Sequence, residues 1–198
     1  MLSNEAKIKI MKRFHQHKII FCGDIGYQLP PIEGTEFKIG NLPIIKHKKN
    51  YRCKCPKLAK ILKNLRKTIR KSQNIKLFNI HQEFDMAIID KDNINYQVHD
   101  LILSKTHKNK DKYTEKYKEL DKFIVLENTR DFSNGDIIIG PKPKKVKAER
   151  RHAYTVHSIQ GETAENKLFI DMNKMNDLRM FYTALSRARF FHQIVLIQ

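Results

Sequence analysis

Cysteine is too scarce here to build a scaffold: Cys22, Cys53 and Cys55 are the only three in 198 residues, an odd number with two of them nearly adjacent. A reducing compartment is therefore expected. A zinc site is not, because Cys53-Lys54-Cys55, even with His15 and His17 upstream, lacks the usual pair spacing and a second pair. Glycine and proline are also few, seven and six, beside 40% hydrophobic and 30% charged residues. That balance excludes a disordered chain. No apolar run approaches a membrane-spanning length, and Met1 to Lys9 mix Ser, Asn, Glu and Lys with apolar positions. A soluble, intracellular protein of the cytoplasm or nucleus is expected, not secreted and with no membrane partner.

Acidic residues are in deficit, 21 against 39 Lys and Arg, which leaves a net charge of +18 and a pI near 9.8. A polyanion is the natural partner, since neutralising phosphates releases condensed counterions before any base is read. The joint abundance of Lys, Ile and Asn also fits AT-rich coding, which would leave only a solvated lysine surface. Charge alone admits a nucleic-acid binder without selecting one.

The length suits one full domain plus a piece of another. Ile19-Ile20-Phe21-Cys22 reads as a buried strand ending at Gly23-Asp24. Pro56 fits the first turn of a helix with Leu58, Ile61, Leu62, Leu65 and Ile69 on one face. Short apolar runs at Met86 to Ile89, Leu101 to Leu103 and Phe123 to Leu126 then alternate with polar stretches, including a Lys-rich helix from about Lys108 to Leu120. The end adds a strand at Leu168 to Ile170, a helix from about Asp177 to Arg189 and a strand at Ile194 to Ile197. This order predicts an α/β fold with a parallel sheet closing on its C-terminal strand. Phe123 to Val146 reads as a small β insertion with Asn134-Gly135 as its hairpin turn. Pro141 to Lys147 is then a charged loop of that insertion, with a nuclear import tag as the alternative. A domain boundary is expected between Gly40 and Lys49.

Four segments carry chemistry. Gly23-Asp24-Ile25-Gly26-Tyr27-Gln28-Leu29-Pro30-Pro31 would lie beyond the carboxyl end of a strand, where open α/β sheets place ligands. The Gln28 amide can donate to a phosphate oxygen and accept from an ordered water, although the same residues also suit a proline-stiffened surface turn. Asn50-Tyr51-Arg52 precedes the Pro56 helix, so Arg52 either faces a cleft or is a surface arginine beside a packed tyrosine. Ala153 to Thr163 concentrates hydroxyl, imidazole and amide groups around Gly161. Tyr154, Thr155, His157, Ser158 and Thr163 could hold a nucleic-acid backbone and its bases, while Gln160 and Gly161 could face a nucleotide. The bland alternative is a polar strand-to-helix turn with a satisfied histidine. In Phe181 to Arg189, Arg187 projects away from Leu185, and taken alone Arg187 and Arg189 would be solvated helix ends.

Together, G-D-x-x-x-Q-L-P-P, N-Y-R, T-x-H-x-x-Q-G-x-T and Y-x-A-L-S-R-A-R stand in an order and at separations that resemble superfamily 1 DNA helicases of the RecD-like and Dda-like branch. The resemblance covers almost the whole chain, and Asn134-Gly135-Asp136 fits the turn of its small β insertion. It implies a RecA-like P-loop NTPase motor fold, with 1–45 a remnant of the first motor domain and 46–198 the second. A small β-barrel-like insertion would occupy about 123–150. By resemblance, Gln28 couples the terminal phosphate of ATP to movement, Asp24 supports the hydrolytic centre, and Arg52 and Arg187 stabilise the transferring phosphoryl group. Gly161 would approach the nucleotide and Mg2+, and Thr155 and His157 would touch single-stranded DNA. Movement would run 5′ to 3′. Glu162 stands where this branch often has a small residue and receives no role.

One departure matters. The phosphate loop G-x-x-x-x-G-K-[ST] and an acidic D-E box occur nowhere in the 198 residues, so this chain alone is expected neither to bind ATP tightly nor to hydrolyse it. A truncated or split gene product, a fragment that works beside a separate N-terminal helicase half, or a degenerate DNA binder would each account for this. A non-catalytic single-stranded nucleic-acid binder derived from a helicase is the reading from a different class, and an RNA-directed relative is a third.

Overall fold

The computed structural model describes residues 2–24, 26–27, 29–31, 33–46, 50–71, 80–159 and 162–198. The chain divides into two compact units, Met1–Tyr51 and Arg52–Gln198.

In the first unit, helix α1 spans Asn4–Arg13. Its start follows from Ser3, whose hydroxyl accepts from the amide of Ala6 at 3.2 Å. Glu5 in the first turn accepts from the Thr35 amide at 3.0 Å and the Thr35 hydroxyl at 2.7 Å, contacts that hold its carboxyl down at about 2. The expected strand at Ile19–Cys22 does not form: these residues lie in no regular element, and Ile20 is 76% exposed. An apolar run becomes a buried parallel strand only with neighbours on both sides, and among the described residues of this unit there is no strand for it to join. The Gly23 to Pro31 segment therefore does not follow a strand.

The second unit carries the sheet. Its elements are α2 (Pro56–Arg70), α3 (Ile80–Glu83), β1 (Ala87–Ile89), β2 (Leu101–Ser104), α4 (His107–Lys116), β3 (Lys122–Val125), β4 (Ile137–Ile139), β5 (Ala148–Arg150), β6 (Ala153–Thr155), β7 (Leu168–Asp171), α5 (Leu178–Leu185) and β8 (Ile194–Ile197). Five strands pair in the order β1-β8-β7-β2-β6, and every pair is parallel. The C-terminal strand is interior, between β1 and β7, rather than at an edge. Strands β2 and β7 are buried throughout, which is why they read as unbroken apolar runs. Ile102, Phe169 and Ile197 form one cluster with Tyr113 of α4. On the alternating positions, Leu101, Leu103, Leu168, Ile170 and Leu196 are equally buried. In α2, Leu58, Ile61, Leu62 and Leu65 are buried at helical spacing behind Pro56 in the first turn, and this helix packs on α5.

The insertion is a three-stranded antiparallel sheet ordered β4-β3-β5, not a barrel. Asn134-Gly135 does form the centre of a β-turn, closed by the Asp136 amide donating to Ser133 carbonyl at 3.1 Å, and Gly135 has φ +99°. That turn ends the long 126–136 connection instead of forming a two-residue hairpin. The expected helix from Asp177 to Arg189 is shorter. Asp177 caps it by accepting from Arg179 amide at 2.7 Å, and the helix stops at Leu185, leaving Arg187 and Arg189 on the connection to β8.

A candidate arginine site and a hydroxyl turn

Two arginines from segments far apart in sequence meet in the second unit. The connection entering α2 is pinned to the one leaving α5, because the Lys54 amide donates to Arg189 carbonyl at 2.8 Å. Arg52 therefore lies beside Ser186: its Nη1 donates to Ser186 carbonyl at 3.3 Å and its Nε to Thr163 Oγ1 at 3.0 Å.

Arg187 is the reverse of a solvated helix end, only 8% exposed. Its Nε donates to Thr183 carbonyl at 3.1 Å, its Nη2 to Ser186 Oγ at 2.8 Å, and its Nη1 to the carbonyls of Glu162 at 3.3 Å and Ile159 at 3.5 Å. The Ala164 amide in turn donates to Arg187 carbonyl at 2.9 Å. Burial first, and Arg52 second, push the Arg187 pKa down to about 10, with Tyr182 and Glu162 opposing. Two guanidinium groups gathered on one segment make a locus that an anion would stabilise. Gln160 and Gly161, expected near the nucleotide, and Gln28 lie outside the described residues. Asp24 is half-buried in the first unit.

Gln193 was not singled out in the sequence, yet it braces this site. Its Nε2 donates to the carbonyls of Asn166 at 2.8 Å, Glu165 at 3.1 Å and Ala164 at 3.4 Å, while its Oε1 accepts from the amides of Arg189 and Phe190, each at 2.8 Å. One amide thus ties the strand that Arg187 precedes to the segment that Arg187 touches. A lone carboxamide at the entrance to the Ile194–Ile197 run was the available signal.

The hydroxyl-rich segment does not gather at one place. β6 and β7 both run parallel to β2, so the chain must return along the sheet from the carboxyl end of β6 before β7 begins. Thr155 and Ser158 bond to each other just after β6, whereas Ile159 and Glu162 offer their carbonyls to Arg187 and Thr163 accepts from Arg52. At the carboxyl end, Thr155 Oγ1 donates to Ser158 Oγ at 3.1 Å and accepts from the Ser158 amide at 3.2 Å, and Ser158 Oγ donates to Thr155 carbonyl at 3.0 Å. Ser158 is exposed and His157 half-buried. Burial lowers the His157 pKa against an opposing pull from Asp177. Tyr154 corrects the sequence reading: its ring is 1% exposed, enclosed within the sheet and closed to a stacking base. Burial pushes its hydroxyl up to about 12, and that oxygen has no hydrogen-bond partner among the described residues.

Among the described residues no group of three or more His, Cys, Asp and Glu side chains could hold a metal, no helix is long and apolar enough to cross a membrane, and the three cysteines are free.

The five-stranded parallel sheet with its covering helices is a RecA-like α/β fold. Solved Pif1 helicases share it. The Pif1 helicase of Candida albicans superposes over 89% of this chain and 63% of its own, with a TM-score of 0.63 at 15% identity. Pif1 of Bacteroides, solved with ADP-AlF3 and single-stranded DNA, superposes over 86% of this chain and 60% of its own, with a TM-score of 0.59 at 16% identity. A Pif1 structure addressing the unwinding of forked duplex DNA by two coordinating helicases gives 0.52 at 15% identity, over 75% of this chain and 48% of its own. The chain thus spans about half to three-fifths of the length of these proteins. No protein-family model and no curated protein matches it.

Proposed function

We propose that this chain is the arginine-bearing part of an ATP-dependent superfamily 1 DNA helicase that moves 5′ to 3′ along single-stranded DNA. Unit Arg52–Gln198 would be its second RecA-like domain and Met1–Tyr51 part of the first. The observation that carries this reading is the meeting of Arg52 and Arg187 around Thr163 and Ser186. Where phosphoryl transfer builds negative charge, catalysis is mainly positioning and electrostatic stabilisation, and a pair of arginines held in advance provides both. ATP hydrolysis would supply the free energy for stepping. Arg52 and Arg187 would bind and orient its phosphates, with Arg187 giving up at least one of its internal hydrogen bonds to do so. The Thr155-Ser158 turn, with His157, would hold a DNA backbone at the carboxyl rim of the sheet. The phosphate loop and the Mg2+ ligands are absent from this sequence and would come from elsewhere in the machine, such as a separate N-terminal helicase half.

This chain alone is expected to show no DNA-stimulated ATP hydrolysis, and mixing it with a matching half that carries a phosphate loop and acidic box should restore it. A stable mixed complex on DNA without turnover would favour a non-catalytic single-strand binder instead.

A further inference from the structure

In the strand order β1-β8-β7-β2-β6, the connection from β2 leads to β6 on one side, and the connection from β7 leads to β8 on the other. β2 and β7 are neighbours, so their carboxyl ends flank a topological switch point, where open α/β sheets leave a crevice for ligands. A pocket of about 590 Å³ opens beside it, at the carboxyl ends of β7, β8 and β1, within the volume range of small-molecule sites. The pocket shares no lining residue with the arginine site and is distinct from it.

Asp171, the last residue of β7, lines this pocket and is 4% exposed. Its carboxylate accepts from Asn109 Nδ2 at 3.0 Å and from the Asn173 amide at 2.8 Å, with Tyr113 lining the same pocket. A carboxylate offers about four lone-pair sites, so these two donors leave acceptor capacity for another. Met175 and Leu196 supply apolar wall, and Lys91, Lys112 and Lys116, set against the single further carboxylate of Asp92, leave the pocket mouth net positive. An apolar wall, a buried acceptor and several ammonium groups match the face, edge and phosphate of a nucleotide.

The pocket also lies on the rim that carries the hydroxyl turn. Strands in a sheet are about 4.8 Å apart, so from Thr155 at the end of β6, across β2, to Asp171 at the end of β7 is on the order of 10 Å. Neighbouring nucleotides of one strand span such a distance.

We propose that this pocket receives one base of the DNA strand and selects for an exocyclic amine, as on cytosine or adenine, through the Asp171 carboxylate. The proposal rests on the DNA-motor reading above. Thymine presents a carbonyl and a methyl group where cytosine presents an amine, so it would place an acceptor against the carboxylate and be disfavoured. The lysines hold the adjoining phosphate, and Asn109 fixes the carboxylate.

The test is binding of labelled oligodeoxycytidylate and oligothymidylate of equal length to this chain by fluorescence anisotropy, with dCMP and dTMP titrated against the side-chain amide signal of Asn109 by nuclear magnetic resonance. One discriminating hydrogen bond should make the cytidylate bind about threefold to tenfold more tightly, with dCMP but not dTMP moving the Asn109 signal. Asp171→Asn should bring cytidylate affinity down to the thymidylate level. Asn173→Trp, an exposed position whose hydrogen bond to Asp171 comes from the main chain, should do the same by plugging the mouth. Equal binding of the two oligomers, or a preference that survives Asn173→Trp, overturns the pocket while leaving the DNA reading in place. Binding of neither oligomer overturns both.

Discussion

Buried charge and unmet hydrogen bonds set the behaviour of individual residues here. Lys122 is 3% exposed, and its Nζ donates to Asp100 carbonyl at 2.6 Å and Tyr96 hydroxyl at 3.2 Å. Burial pushes its pKa down to about 8, against opposing pulls from Asp100 and Glu165. His152, fully buried beside it, is held down at about 4 by burial first and then by Lys122 and Arg150. Both groups bind protons more weakly in the folded chain than in the unfolded one. Stability should therefore rise with pH between about 4 and 6.5 through His152, and again from about 8 toward 10.5 through Lys122. Denaturant midpoints measured across pH should show both slopes, and Lys122→Met should flatten the upper one while shortening the lower one, because it removes one of the charges that hold His152 down. An unchanged upper slope in that variant would mean that Lys122 is not the group responsible.

Tyr154 allows a second check at this scale. Its buried hydroxyl has no partner among the described residues, so Tyr154→Phe removes a desolvated group without opening a cavity and should be neutral or stabilising. Stacking on a base would be unaffected by the same change, but a ring enclosed in the sheet cannot stack, so Tyr154 should be protected from fluorescence quenching by an oligonucleotide. Quenching of Tyr154, isolated by substituting the other tyrosines, would contradict the enclosed position.

At the scale of elements, α2 depends on its apolar face. Leu58 and Leu65 are fully buried at helical spacing, and Leu65→Ala should destabilise the second unit by about 2 to 5 kcal/mol, as large-to-small core changes do. Chemical denaturation measures this directly, and a loss under half a kcal/mol, roughly the effect of a surface substitution, would place α2 outside the core.

The same element shows what was legible in advance. Leucines and isoleucines at positions 58, 61, 62 and 65 behind Pro56 fixed the helix and its buried face, and the unbroken runs of β2, β7 and β8 fixed the strands. Local pattern decided those cases. It failed at Ile19 to Cys22, an equally apolar run, because a strand needs neighbours and none is present among the described residues of that unit. It also overran α5, since the Phe181 to Arg189 pattern continues past Leu185 while the chain turns to bring Arg187 inward. The antiparallel pairing of the insertion was readable from its Asn-Gly turn, but the length of the 126–136 connection was not.

At the scale of the whole molecule, motif order brought Arg52 and Arg187 onto one page before any geometry was known, and the fold places them side by side within the second unit. What the sequence could not convey was which partner each hydroxyl takes: Thr155 and Thr163 are eight positions apart, yet Thr155 bonds to Ser158 just after β6 while Thr163 accepts from Arg52.

The central claim is that Arg52 and Arg187 act as one anion-stabilising unit. It is tested most directly by DNA-stimulated ATP turnover in the chain reunited with a phosphate-loop half, using Arg52→Ala, Arg187→Ala and the double variant, each checked for folding by circular dichroism because Arg187 is buried. Each single change should cost about three to five decades, and the double variant should be little worse than either, as groups that work as a unit are non-additive. Folded single variants that keep turnover within a few-fold of the parent would contradict the account.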